Sequence, residues 1–206
     1  MSKLIINYIV VTLLVVAQAQ ECPKVDLLEN FDLSKYAQGV WYEIARYNNA
    51  VERYGNCVVS NYTRTDNGYI IEVTEVQDGK KIVYDGIVDV STDEHRKGNI
   101  TYIFLDSDSN ITYRYSMIFL SVDYDSYALK YSCQYDPNTK SPLVFAWIYS
   151  KTSKLSDSAK AAIDRYLATS KILDKSKFYW DVFSDDACRF NTTFIDRRLP
   201  NRLITN

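Results

Sequence analysis

The sequence has few of the residues on which many enzyme sites depend. Of its 206 residues, one is histidine (His95), 6 are glycine and 4 are proline. A single histidine leaves little material for histidine-based metal or catalytic sites, and 6 glycines leave little for phosphate-binding loops. No charge of one sign dominates either, because 24 basic residues stand against 26 acidic ones and the formal net charge is −2. A nucleic-acid binder of the basic type is therefore not expected.

Aromatic residues, by contrast, are abundant. The chain has 18 Tyr, 8 Phe and 3 Trp, and hydrophobic residues make up 47% of it. This composition indicates a folded chain with a substantial core rather than a disordered one. The length suits one domain, or two small ones at most.

A short apolar segment lies at the start of the chain. Residues 4–17 are mostly apolar and follow Lys3, and Ala17 and Ala19 supply the small side chains that a signal peptidase reads. A run of about 14 residues is too short for a membrane span, which needs roughly 20. We therefore predict a signal peptide at residues 1–19 and a secreted, extracellular protein with no membrane span.

Four cysteines remain in the mature chain and are far apart: Cys22, Cys57, Cys133 and Cys188. In an oxidising compartment an even number of cysteines predicts two disulfides, here with three pairings open. There is no C-x-x-C motif and no histidine near any cysteine, so no metal site is predicted.

Four sequons of the type Asn-x-Thr are potential glycosylation sites in a secreted chain, at Asn61, Asn99, Asn110 and Asn191. The first lies inside a predicted strand, so its side chain would have to point outward. The composition around the third and fourth indicates accessible turn and tail positions.

The order of secondary-structure signals predicts an all-β fold. Short runs rich in β-branched and aromatic residues, separated by turn residues, predict eight strands at 41–47, 57–63, 69–76, 81–90, 99–105, 111–120, 127–135 and 143–149. Such a meander closes as an eight-stranded antiparallel up-and-down β-barrel. Apolar residues then recur at helical spacing between Leu155 and Leu167, and Ser156 is a suitable N-cap, which predicts one C-terminal α-helix packed on the barrel. A short ninth strand is predicted at 178–182.

Nothing in the sequence indicates a second domain, since there is no internal repeat and no linker rich in proline and glycine. We predict a single domain at residues 20–188, after the signal peptide, and a flexible C-terminal tail at 189–206.

The last strand of the predicted barrel carries a hint of function. Leu143, Phe145 and Trp147 share one face, and the opposite face is also apolar. One apolar face of this strand would line the interior of the barrel, and the other would have to be covered on the outside, which the predicted helix can do. A small eight-stranded barrel holds its own side chains or one small ligand. The tyrosine content favours a cavity, because a phenol ring can line it while the hydroxyl is satisfied at its edge.

Three motifs resemble those of the lipocalin family. They are the G-x-W at 39–41, the segment 123–133 and the segment 145–150, in the family's order and on the expected strands. Within the family the chain resembles the insect bilin-binding proteins of the insecticyanin type and the apolipoprotein D group, most closely at 47–57.

The resemblance implies the pairs Cys22–Cys133 and Cys57–Cys188. It also implies a secreted carrier that binds a small hydrophobic ligand in its barrel, with biliverdin as the first candidate and a lipid, sterol or retinoid as the alternative. No cofactor is required, and a homo-oligomer stays open. The ligand-binding residues that we predict are Asn49, Val51 and Glu52 in the first long loop and Leu143, Phe145 and Trp147 in the barrel.

Two positions depart from the family pattern. Lys151 stands where the third motif usually has an arginine over the ring of Trp41, and we predict that the lysine makes a cation–π contact instead. Within the third predicted strand, the segment 71–75 has neither the Asn nor the His that contact the pigment in bilin-binding relatives.

An enzyme and a surface-acting glycoprotein are the competing classes. Lipocalin isomerases use a free cysteine, whereas all four cysteines here are assigned to disulfides. His95 lies in a polar run, and Glu72 and Glu75 are three apart and so on opposite faces of a strand. We therefore predict that the chain is not an enzyme and name no catalytic residue. The sequence leaves open an extracellular glycoprotein that acts through its surface.

Overall fold

The computed structural model describes residues 21–47, 55–106, 111–191 and 193–197. Its barrel strands are β1 (Val40–Tyr47), β2 (Asn56–Thr65), β3 (Gly68–Gln77), β4 (Lys80–Asp89), β5 (Asn99–Asp106), β6 (Ile111–Asp123), β7 (Tyr127–Asp136) and β8 (Ser141–Ser150), and two short strands follow as β9 (Phe178–Trp180) and β10 (Phe194–Arg197). All eight predicted barrel strands are therefore confirmed, with ends that shift by a few residues. The predicted signal peptide lies outside the described residues.

The eight strands form a closed antiparallel barrel. Each pairs with its neighbour in sequence, and β1 closes the barrel by pairing with β8, where Arg46 lies opposite Trp147. The pairing of β4 with β5 is short and extends only from Gly86 to Asp89 on β4. The predicted fold class is confirmed.

The C-terminal helix (Asp157–Thr169) covers one outer face of the barrel. Ser156 caps it, because its side chain accepts a hydrogen bond from the Ala159 amide at 3.2 Å. Ala159, Ile163 and Leu167 form its buried stripe and pack in one cluster with outward-facing barrel residues such as Ile148. The predicted cover of the second apolar face of β8 is thus provided by this helix.

The barrel end where β1 begins is closed by a segment that the sequence did not predict to be helical. A one-turn helix (Leu33–Tyr36) follows the N-cap Asp32, whose carboxylate accepts amide hydrogen bonds from Ser34 and Lys35. Tyr36 is fully buried and stacks on Trp41 with ring centroids 4.7 Å apart, and the Trp41 indole donates to the Tyr36 carbonyl at 2.8 Å. We call this end of the barrel the closed end.

Lys151 fixes the outer side of the same aromatic stack. Its Nζ lies 3.9 Å from the centroid of Trp41 and donates a hydrogen bond to the Gln38 carbonyl. The predicted cation–π contact is present. The lysine therefore replaces the usual arginine without loss of the contact to the ring.

Both disulfides have the predicted pairing. Cys22 is bonded to Cys133 and Cys57 to Cys188, with Cα–Cα distances of 5.8 and 5.5 Å. They close sequence separations of 111 and 131 residues. Loops of that length correspond to roughly 4–5 kcal/mol each in the chain-entropy model.

Strand β10 lies within the segment predicted as a tail. It pairs in parallel with the first half of β4, with Phe194 opposite Lys81 and Arg197 opposite Tyr84. The first half of β4 has a free edge on this side because its pairing with β5 begins only at Gly86. Strand β10, which begins with the β-favouring residues Phe194 and Ile195, pairs with this edge of β4. The division of the chain into leader, domain and tail stays a prediction.

Replacement of Lys151 tests the contribution of its contact with Trp41. We predict that Lys151→Met lowers the free energy of unfolding by about 1 kcal/mol, because the cation–π contact and the bond to Gln38 are lost. Lys151→Arg should be close to wild type. The matched control is Lys154→Met, at an exposed position of the same loop. Equal urea midpoints for Lys151→Met and Lys154→Met would contradict this assignment.

Candidate ligand-binding cavity

A cavity of about 830 Å³ occupies the barrel between the closed end and the opposite end. It reaches the last residues of several strands at that opposite end, among them Gln77 on β3, Leu105 on β5 and Gln134 on β7. We call this the open end. The volume is near the upper limit of the range typical of small-molecule sites, so it suits a large ligand.

The alternation of β8 provides one apolar wall of the cavity. Leu143, Phe145, Trp147 and Tyr149 all line it, and the Phe145 and Trp147 rings are stacked with centroids 5.9 Å apart. The structure thus brings together the three barrel residues that we predicted as ligand-binding, Leu143 nearest the open end and Trp147 deeper. Their contact with a ligand stays a prediction. The other three predicted residues, Asn49, Val51 and Glu52, lie outside the described residues.

Strand β3 provides a second wall. Ile71, Val73 and Glu75 line the cavity, whereas Glu72 does not. Glu72 and Glu75 are therefore on opposite faces, as the spacing predicts. This strand offers the ligand two aliphatic side chains and, near the open end, one carboxylate.

Two charged residues of β1 are buried in the cavity wall and were missed by sequence reasoning. Glu43 Oε1 and Arg46 Nε form an ion pair at 3.1 Å, and Tyr149 donates a hydrogen bond to Glu43 Oε2 at 3.0 Å. Arg46 also donates to the carbonyl oxygen of Gly55. In a regular strand residues three apart face opposite sides. Here the register of β1 against β8 shifts between Glu43 and Ala45, and both side chains line the cavity.

Lys130 on β7 is the most deeply buried charged group of the cavity, with 1% of its surface exposed. Its Nζ lies 4.2 Å from the ring centroid of Tyr149 and 5.0–5.4 Å from those of Tyr36, Phe119 and Tyr102. Burial lowers the pKa of Lys130 to about 7, and the negative charge of Glu43 opposes this effect. Lys130 lies two residues from both Ala128 and Ser132, which face inward on the same strand. This period of two was the sequence signal for an inward-facing lysine, and it was missed.

Neutral phenols surround this amine. The hydroxyls of Tyr62 and Tyr102 are hydrogen-bonded to each other at 2.9 Å. Burial raises the pKa of Tyr36, Tyr62, Tyr102 and Tyr149 well above the ordinary value of tyrosine. These rings therefore stay uncharged over the whole neutral range, and much of the inner cavity surface is aromatic but not ionised.

Strand β10 also contributes to the cavity. Arg197 lines it close to Tyr84, its register partner on β4. This contribution has no periodic signal in the sequence, because the strand has only four residues and its pairing depends on the edge that β4 presents before Gly86.

The predicted glycosylation sites fall in different environments. Asn61 and Asn191 are exposed, and the former points away from the barrel interior as expected. Asn99 is half-buried, and its amide donates to Glu94 Oε2 at 2.5 Å while its oxygen accepts from Ser116 at 2.5 Å. Asn110 lies outside the described residues. Glycosylation at all four stays a prediction.

Within residues 21–47, 55–106, 111–191 and 193–197, no group of three His, Cys, Asp or Glu side chains could hold a metal ion. In those same ranges no helix is long and apolar enough to cross a membrane. His95 lies in a 3₁₀ turn (Asp93–Lys97) on the surface near the closed end and does not line the cavity.

The charge of Lys130 should make stability depend on pH. The unfolded chain binds this proton up to its ordinary pKa of 10.5, whereas the native chain releases it near 7. The free energy of unfolding should therefore be lowest below about pH 7 and rise as the pH increases from 7 towards 10.5. We predict that Lys130→Met removes most of this rise and is more stable than wild type at pH 6 by roughly 1–4 kcal/mol.

Urea denaturation between pH 6 and pH 9 checks this expectation. The exposed Lys154→Met is the matched control and should keep the wild-type pH dependence. A Lys130→Met protein whose unfolding free energy changes with pH as steeply as that of wild type would show that Lys130 keeps an ordinary pKa in the fold.

Several known proteins resemble this chain in sequence or in fold. Residues 38–180 match the sequence model of the Lipocalin / cytosolic fatty-acid binding protein family. The chain is 31% identical to the bilin-binding protein of Pieris brassicae over 191 residues, which is 90% of this chain and 99% of that protein. It is 32% identical to apolipoprotein D of Cavia porcellus over 120 residues, 55% of this chain and 57% of that one. The solved structure of insecticyanin from the tobacco hornworm Manduca sexta superposes with a TM-score of 0.78 at 30% identity, covering 86% of this chain and 94% of insecticyanin.

Proposed function

This chain belongs to the lipocalin family, and on that basis we propose that it is a secreted carrier that binds a small hydrophobic ligand, in the first place a bilin pigment such as biliverdin. The family predicted from the three sequence motifs is thereby confirmed. Binding involves no bond-making step: burial of apolar ligand surface in the barrel provides the driving force.

The observation that carries this proposal is the cavity itself. It has about 830 Å³ of space, and its lining is dominated by aromatic and aliphatic side chains with a few buried polar groups among them. That combination is typical of sites that enclose an organic ligand and fix its orientation with a few hydrogen bonds. A filled barrel core would have no such space.

A bilin is supported by the cavity's size and by its mixture of groups. A tetrapyrrole is large and mostly apolar but carries pyrrole N–H groups, lactam oxygens and carboxylates. The cavity offers acceptors at Glu43 and Gln134 and cationic groups at Arg46 and Arg197. Two relatives that are 31% identical to this chain are named bilin-binding protein, from Pieris brassicae, and insecticyanin, from Manduca sexta.

A lipid, sterol or retinoid is the second candidate, and one observation favours it. In the deeper part of the cavity β3 offers the aliphatic side chains of Ile71 and Val73, and it has neither the Asn nor the His that the resemblance to bilin-binding proteins leads us to expect there. Apolar contact alone discriminates weakly between ligands of similar size, so such a wall suits a lipid as well as a pigment.

The proposal of secretion is supported by the two long-range disulfides, which persist in oxidising compartments, and by the apolar leader of the sequence. We propose no enzymatic activity and no required cofactor. A homo-oligomer and an additional role of the glycosylated surface stay open.

The absorption spectrum of the protein purified from its source tests the identity of the ligand. A bilin gives bands in the red and near-ultraviolet, whereas a colourless protein that takes up fluorescent fatty acids or retinol is a lipid carrier. A colourless protein that binds neither biliverdin nor these hydrophobic probes would overturn the carrier function.

A substitution at the open end tests whether the cavity is the binding site. We predict that Leu143→Gln weakens binding of the ligand identified above by about 1–2 kcal/mol, roughly fivefold to thirtyfold in Kd, because apolar contact is lost. The matched control is Ile111→Gln, since Ile111 is an exposed aliphatic residue at the same end and does not line the cavity. Equal Kd values for the two variants, measured by Trp fluorescence titration, would place the ligand elsewhere.

A further inference from the structure

Binding of a pigment or lipid by apolar contact alone does not use the buried amine of Lys130. Lys130 lines the cavity together with Tyr102 and Tyr149, and it is the only lysine of the described residues that does so. Phe145 and Trp147 continue the same lining towards Leu143 at the open end. A linear apolar molecule that enters from the open end can therefore extend along β8 with its far end directed at this amine.

The amine is also in a reactive protonation state. With a pKa of about 7, about half of the Lys130 side chains carry an unprotonated amine at neutral pH. An exposed lysine with a pKa near 10.5 is almost entirely protonated there and is a poor nucleophile. A buried amine with a lowered pKa is the arrangement that makes lysine a Schiff-base nucleophile.

We propose that Lys130 captures a long apolar aldehyde, of the polyene or fatty type, by forming a Schiff base within the cavity. The proposal rests on the carrier function only in requiring that the cavity admits such a molecule. It assigns Lys130 as a covalent attachment site and names the chemical class of the ligand, an aldehyde with an extended hydrocarbon chain.

The reaction balances with the groups that are present. The lone pair of the neutral amine attacks the aldehyde carbon, a proton moves from nitrogen to the former carbonyl oxygen, and a carbinolamine results. Loss of one water molecule forms the C=N bond, so the products are the imine and water. No oxidant or reductant takes part. Protonation of the imine by solvent gives an iminium cation.

The surroundings of Lys130 are suited to hold that cation. Glu43 on β1 is the acidic group whose charge acts on Lys130, and it can serve as the counter-ion of the iminium. The rings of Tyr36, Tyr102, Phe119 and Tyr149, which already lie within 4.2–5.4 Å of Nζ, offer cation–π stabilisation to it. Several other titratable and charged groups of the described residues line the same cavity: Arg46 on β1, Glu75 on β3, Tyr84 and Asp85 on β4, Tyr113, Arg114 and Tyr115 on β6, and Arg197 on β10. Tyr62 on β2 packs against Tyr36 in the same core cluster.

Retinal, with retinol as its non-covalent counterpart, provides a direct test. The full mature chain is incubated with all-trans-retinal, reduced with borohydride and analysed by intact mass and by peptide mapping. We expect one adduct per chain, located on Lys130, and before reduction a long-wavelength absorption band from the protonated imine. The rate of adduct formation should increase between pH 6 and pH 8, because the fraction of neutral amine increases there.

Two variants complete the experiment. Lys130→Met should lose at least tenfold in adduct yield and still bind retinol, which shows that it is folded. Lys151→Met is the matched control, since burial also lowers the pKa of Lys151 but that residue lies at the closed end outside the cavity, and it should form the adduct like wild type.

The remaining outcomes separate this proposal from the carrier function. Retinol binding without an adduct on Lys130, or with adducts spread over surface lysines, overturns covalent capture and leaves the carrier intact. Failure to bind either retinal or retinol, together with failure to bind biliverdin or fatty acids, overturns both. The peptide map of the wild-type protein decides the attachment site even if Lys130→Met does not fold.

Discussion

The closure of β1 against β8 is the constraint on which the rest of the structure depends. It joins the first and last strands of the barrel, and its irregular register between Glu43 and Ala45 brings Glu43 and Arg46 to the same inner face. Because the eight strands close on one another as a barrel, an interior that side chains do not fill becomes a cavity rather than a cleft. The aromatic stack of Tyr36 on Trp41 then blocks one end, so that the opposite end is left as the way in.

The polar content of the cavity follows from the same enclosure. An ion pair and a lysine that are taken out of water lose their hydration, and they are tolerated only with partners of suitable geometry. Glu43 is held by Arg46 and Tyr149, whereas Lys130 has the faces of four aromatic rings and the more distant charge of Glu43. Of these three charged groups, Lys130 therefore has the least compensation. Burial without a close counter-ion keeps part of the Lys130 amine neutral, and this neutral fraction is the nucleophile in the proposed covalent capture. The same burial lowers the free energy of unfolding of the ligand-free protein.

Most of the fold could be predicted from the sequence, and much of the site could not. The eight strands, the C-terminal helix and the two disulfides follow from alternation, from helical spacing and from the family resemblance, since these patterns are local or shared with relatives. Glu43 and Arg46 could not be placed because their common orientation depends on a register shift between strands that are far apart in sequence. Lys130 was overlooked because a lysine within a strand is usually solvated, and only the packing of four separate elements shows that it is enclosed. Strand β10 depends on the free edge of β4, which no pattern in residues 194–197 reveals.

The barrel cavity holds a titratable amine, that of Lys130, deep among aromatic rings with 1% of its residue surface exposed. The most direct measurement is an NMR titration of the lysine side chains in the ligand-free protein, with the Lys130 signal assigned by its absence in Lys130→Met. We expect this one signal to titrate with a midpoint near 7, well below the ordinary lysine value of 10.5. A midpoint near the ordinary value of 10.5 would mean that water reaches the amine and that the barrel does not enclose it.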